Sequence, residues 1–86
     1  MILTGWHDML SDMDYFFDTK LIVKTISGKV VASIERRRPG KRYEFYSIFS
    51  AFGGNTDTLE KAKRYATTEL LRRGHVILTD KQRNLI

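Results

Sequence analysis

The chain has 86 residues, 42% of them hydrophobic and 29% charged, with a net charge of +5 and no cysteine. That length suits a single domain, 1–86, and the composition is too rich in aliphatic and aromatic groups for a disordered chain. Disulfide frameworks and thiolate metal sites are excluded. The start shows neither a signal-peptide pattern nor an apolar membrane span, so a cytoplasmic location is expected.

Residues 5 to 17 place Trp6, Met9, Leu10, Met13, Phe16 and Phe17 at the spacing of one buried helical stripe. Thr4 is a suitable N-cap, and Asp8, Ser11, Asp12 and Tyr15 share the opposite face. The spacing therefore predicts an N-terminal helix.

Branched residues then predict a strand over 20–26, a turn at Ser27-Gly28, and a second strand over 29–37 with Val30, Ala32 and Ile34 on one face. Pro39-Gly40 makes a second turn before an aromatic strand over 42–49, which completes an antiparallel meander. Gly53-Gly54-Asn55 reads as a turn without the lysine and spacing of a phosphate-binding loop.

Asp57 followed by Glu60 resembles a capping box, opening a second helix striped with Leu59, Ala62, Ala66 and Leu70, with Tyr65 at its margin. Arg72 and Arg73 suit its last turn and Gly74 its C′ position. Residues 75–78 suggest a short final strand, and 79–86 a frayed tail. The expected class is α+β: an N-terminal helix, a three-stranded meander, a second helix packed on one sheet face, and a possible last strand.

Charge is unevenly spread. Residues 1 to 18 carry Asp8, Asp12, Asp14 and Asp18 with no cation, whereas the remainder holds all 15 Lys and Arg against six acids. The densest run is Arg36-Arg37-Arg38-Pro39-Gly40-Lys41-Arg42, five cations in seven residues at a hairpin tip. Such a ribbon fits a nucleic-acid groove, with Arg chelating phosphate or guanine and Tyr43 and Tyr46 available to stack on bases. A solvated turn whose charges blunt edge pairing has the same composition. Lys61, Arg64, Thr68 and Arg72 add an outward basic ridge on the second helix, as any surface helix can show.

Other chemistry has little to stand on. Asp12-Met13-Asp14 opens like a calcium loop, but Phe16 and Phe17 occupy the positions of the further acid and the glycine. Asp8 and Asp12 with His7 make a poor metal set, and His7 and His75 lie at opposite ends of the chain with no glycine-framed serine. No metal, no cofactor and no catalysis are expected. A protein-binding alternative uses Asp8, Asp12, Tyr15 and Tyr46, and pairing of a strand edge with a second copy is a third possibility.

Gly28-Lys29-Val30-Val31-Ala32-Ser33-Ile34, the Gly40-Lys41-Arg42 turn and Thr58-Leu59-Glu60-Lys61-Ala62 resemble the amino-terminal DNA-binding domain of tyrosine integrases over residues 20 to 73. That resemblance implies a sheet entering the major groove, with Arg36, Arg38 and Arg42 near DNA. The expected helix–strand order is also similar to the double-stranded-RNA-binding domain, with Ala62-Lys63 and Ala66 matching, and Leu59-Glu60 where that family has a lysine pair. In size and style the chain looks like a bacteriophage accessory protein. That likeness implies either nucleic acid or a host or anti-phage protein complex as partner, as for inhibitors of CRISPR surveillance complexes.

Overall fold

Strands rich in branched and aromatic residues, with five consecutive residues of the central strand buried, form the largest element of the computed structural model. It describes residues 1–10, 13, 15–38, 40–47 and 49–78. Strands β1 (Ile2–Leu3), β2 (His7–Asp8), β3 (Phe17–Lys24), β4 (Val30–Arg37), β5 (Tyr43–Ser47) and β6 (Phe52–Thr56) precede helix α1 (Leu59–Arg72) and strand β7 (Val76–Ile77). Strands β2 to β6 form one antiparallel sheet in sequence order, and β1 pairs with β7 in a separate parallel pair.

The fold is thus strand-dominated, and the expected N-terminal helix is replaced by strands. Gly5 has φ +87°, which a right-handed helix cannot accommodate. Met9 N–H, which the helix would bond internally, donates instead to the Lys20 carbonyl at 2.8 Å, and Thr4 N–H donates to the Lys24 carbonyl at 2.9 Å, so both are taken by β3. The stripe residues do not share a face either. Trp6 packs into the core and donates its indole N–H to Thr67 at 3.0 Å, whereas Met13 and Phe16 are 72% and 75% exposed.

The β3–β4 turn follows the expected chemistry. Gly28 adopts φ +100°, and its N–H closes on the Thr25 carbonyl at 2.9 Å. Facing pairs Leu21↔Ile34 and Val23↔Ala32, then Ile34↔Phe45, lay one apolar face across β3, β4 and β5. Helix α1 covers that face with Ala62, Ala66 and Leu70, all fully buried at a spacing of four residues. Two alanines let the helix approach closely. Leu70 fills the end near Leu3 and Val23, and burying such a side chain contributes roughly 1.5–3 kcal/mol.

The helix ends where its sequence dictates, with one shift. The N-cap is Thr58, not Asp57, because the Thr58 hydroxyl accepts from Lys61 N–H at 3.2 Å while Asp57 lies one residue outside. At the far end Gly74 has φ +88°, and the His75 N–H to Leu70 and Gly74 N–H to Leu71 bonds form a Schellman cap.

A second correction concerns Gly53-Gly54-Asn55, which lies inside β6 rather than in a turn. Gly54 faces Phe45 across the β5–β6 ladder, and a Cβ there would stand 2.7 Å from Phe45 Cζ. The ring occupies the space that a side chain would take, the arrangement by which aromatics shelter edge glycines. The aromatic strand accordingly stops at Ser47, and Ser50 and Ala51 turn the chain into β6. The expected frayed tail, 79–86, lies outside the described residues.

Candidate functional site

The β4–β5 hairpin carries the basic cluster, and its geometry divides the five cations. Successive strand residues alternate faces, so Arg36 and Arg37 point to opposite sides of the ribbon. Arg36 lies on the side of Tyr43, with its guanidinium 4.6 Å from the ring centre, and its Nε reaches the Asp18 carboxylate at 2.8 Å. That contact holds the Asp18 carboxyl below its ordinary range and raises Arg36. Arg37 stands over the Phe17 ring at 5.9 Å. Arg38 is tied by its backbone N–H to the Phe16 carbonyl at 2.7 Å and by Nε to the Phe17 carbonyl at 3.2 Å. Arg42 Nε donates to Asn55 at 2.6 Å, and Lys41 is exposed. Among the described residues, Arg36 alone of the five is ion-paired.

The turn itself demands Gly40, whose N–H meets the Arg37 carbonyl at 2.5 Å and whose Cβ, if present, would meet the same oxygen at 2.6 Å. At the turn end of the hairpin, Phe16, Phe17, Arg37 and Arg38 line a cleft of about 450 Å³. The two phenylalanines are the site residues that sequence reasoning missed, because both fitted a helical stripe. What singles them out is an aromatic pair directly preceding a branched strand whose hairpin partner ends in arginines. Chemically the cleft sets the exposed Phe16 ring beside guanidinium donors for an anion, while the half-buried Phe17 ring already carries Arg37 and, at 5.5 Å, Lys20.

The helix contributes less than its sequence suggests. Lys61 is paired with Asp57 at 3.2 Å and Arg72 with Glu69 at 3.0 Å. Arg73 bonds the same Glu69 and also donates to the Ser50 carbonyl at 2.8 Å. Arg64 lies 6.0 Å from the Tyr65 ring centre and stays exposed. Lys61 and Arg72 are some 16 Å apart along the helix axis, so no single footprint gathers all the expected cations. Among the described residues, the expected cations that lie close together are Arg36, Arg37, Arg38, Lys41 and Arg42, with Tyr43, spread over both sides of the hairpin.

Of the residues expected to bind protein, Tyr15 is 79% exposed, Asp8 accepts from Leu10 N–H at 2.8 Å, and Asp12 lies outside the described residues. Tyr46 lies across the open sheet face, where burial raises its hydroxyl's pKa and a hydrogen bond to Glu35 adds to the shift. Glu35 also meets Lys20 at 3.7 Å. Among the described residues no three His, Asp or Glu side chains converge as metal ligands, and the calcium-loop carboxylates Asp12 and Asp14 lie outside them.

One contact escaped the sequence reading. His75, 8% exposed, meets Ser50 Oγ through Nε2 at 3.0 Å, while its Nδ1 has no partner among the described residues. This pair pins the β5–β6 turn to the residue before β7. Burial lowers the His75 pKa below its ordinary value. A depressed folded-state pKa means that stability is complete above the unfolded value of about 6.5 and is lost as pH falls through the folded one. The melting temperature is therefore expected to fall as pH drops from 7.5 to 5, and His75→Gln to flatten that dependence. An unchanged slope in the variant would show that other groups carry it.

No protein family, curated protein or solved structure matches the chain.

Proposed function

We propose that the chain is a non-catalytic binding module that contacts nucleic acid through the β4–β5 hairpin, acting in a cytoplasm, that of the host if it is phage-encoded. The observation that carries this reading is the cleft in which Phe16, Phe17, Arg37 and Arg38 meet. A base stacked on a phenylalanine places its flanking phosphates within reach of the two guanidinium groups, and Lys41 and Arg42 extend the positive track along the ribbon. Close like charges favour an anionic partner, because among the described residues one carboxylate, Asp18, pairs with Arg36 and adds a weaker attraction for Arg38. Sequence-independent contacts of this kind suit unpaired strands better than a base-reading groove interface.

Fluorescence anisotropy with labelled single strands, duplex DNA and duplex RNA at two salt concentrations tests the proposal. Four to five neutralised phosphates give a log–log salt slope of about −3 to −4.5. Absence of salt-sensitive binding to all three removes it.

A second reading has its own observation. Met13, Tyr15 and Phe16 are 72%, 79% and 75% exposed, on the segment that leads into β3 opposite Arg37. Tyr, Phe, Met and Arg are the types enriched where proteins meet. In this reading the chain is a phage-type inhibitor or adaptor that docks on a host or anti-phage protein complex. It then forms a stoichiometric protein complex and has little affinity for free nucleic acid.

A further inference from the structure

The two edges of the five-stranded sheet are guarded unequally. At one edge β2 is only two residues long, a length that offers little for another strand to pair with. At the other, β6 runs for five residues, Phe52-Gly53-Gly54-Asn55-Thr56, with no lysine, proline or bulge. Alternate N–H and C=O groups of an edge strand point away from its neighbour, and among the described residues no backbone group bonds β6 from outside. Gly53, Gly54 and Asn55 are all exposed.

We infer that β6 pairs antiparallel with β6 of a second copy of this chain, around a twofold axis through Gly54. Full overlap of two strands spanning 52–56 requires that register, which sets Gly54 beside its counterpart, residue 53 opposite residue 55, and Phe52 opposite Thr56. The pattern is self-complementary in charge as well. Asp57 of one copy falls opposite Ala51 of the other, next to Ser50, whose carbonyl holds the Arg73 guanidinium; Glu69 offsets one of the two neighbouring charges of Arg72 and Arg73 and leaves one for Asp57. The present partner of Asp57 is Lys61 at 3.2 Å, an exposed i,i+4 pair of the weak kind that is readily exchanged. At the centre neither glycine projects a side chain, and the Phe45 ring of each copy stays over its own Gly54. Such a twofold contact is isologous and closes, so it yields a dimer with a continuous ten-stranded sheet rather than a fibre. The two basic hairpins then project from opposite ends of that sheet. This inference does not depend on what the hairpins bind.

Because the chain has no cysteine, disulfide trapping reads the register directly. Gly53→Cys and Asn55→Cys chains are made separately. Mixed under mild oxidation, they are expected to give a disulfide-linked pair, whereas either alone gives little, since like positions sit diagonally across the axis, beyond disulfide reach. A Cβ at residue 53 meets nothing closer than 3.6 Å, so that variant is tolerated. Sedimentation of the unmodified chain is expected to show twice the chain mass at high micromolar concentration. A monomer at every concentration overturns the inference. So does cross-linking that is no stronger in the mixture, which would place any dimer contact elsewhere. A full-length monomer that dimerises only when ended at Leu78 also overturns it, by making the chain's own terminal residues the occupant of the edge.

Discussion

A chain carrying Arg37→Ala, Arg38→Ala, Lys41→Ala and Arg42→Ala together is expected to lose about two to three orders of magnitude in affinity for a labelled oligonucleotide. Charge-assisted contacts with phosphate contribute on the order of 1 kcal/mol each once desolvation is subtracted, and about 1.4 kcal/mol is a factor of ten. Four such losses set the range. The salt slope should shrink in parallel, to about −1, because each missing cation releases one fewer counterion. Arg36 is left in place because its pairing with Asp18 ties β4 to β3, and its loss would mix a stability effect into the binding measurement. The four replaced side chains are exposed and their carboxylate partners are none among the described residues, so the far-ultraviolet circular dichroism and melting temperature should change little. Anisotropy titrations of both chains at equal salt give the comparison. Equal affinities would mean that the hairpin is not the contact surface, even if the protein binds nucleic acid elsewhere.

Phe17→Ala and Phe16→Ala, measured alongside, separate stacking from charge. Stacking on an aromatic ring contributes roughly 1–3 kcal/mol per base and is insensitive to salt. Loss of affinity with an unchanged slope is therefore the signature of the cleft, and an unchanged affinity restricts the interface to the cations.

The parts of this fold that could be read in the sequence are those whose causes are local. Gly28 and Gly74 announce their own positive φ, and the branched residues of Leu21-Ile22-Val23 and Val30-Val31-Ala32-Ser33-Ile34 declare strands without knowledge of any partner. The helix stripe is equally local. The N-terminal segment failed because its determinants are distant. Trp6 takes its direction from Thr67, 61 residues away, and β1 is built by its ladder to β7 and a bridge from Leu3 to Thr25. Two-residue strands such as β1 and β2 are too short to carry a period, so a coincidental helical spacing prevailed. The arginines of the site were legible as a charge run. Their aromatic neighbours were not, because Phe16 and Phe17 reach Arg37 and Arg38 only through the pairing of β3 with β4.

Gly54 is the clearest case of a residue whose meaning lies across the sheet, and its replacement carries the second large effect. Phe45 is packed beneath α1 against Ile34, Ala62 and Ala66, with Tyr65 tilted beside it at 6.1 Å between ring centres. A Cβ at position 54 would lie 2.7, 3.2 and 3.3 Å from three atoms of that ring. Neither group can move freely, since the ring is held by the helix and the strand by its ladder to β5. Gly54→Ala is expected to cost about 1–3 kcal/mol, the usual range for overpacking, and Gly54→Val more. The propensity argument alone gives the opposite sign, because glycine inside a strand is normally the weaker choice. Chemical denaturation decides between them. Phe45→Leu relieves the collision at the cost of a small cavity, so Gly54→Ala should destabilise the Phe45→Leu chain much less than the parent. A double-mutant cycle then shows a coupling of about 1 kcal/mol or more between the two positions. Strictly additive losses would mean that the ring does not stand over Gly54, and β6 would need another explanation for its paired glycines.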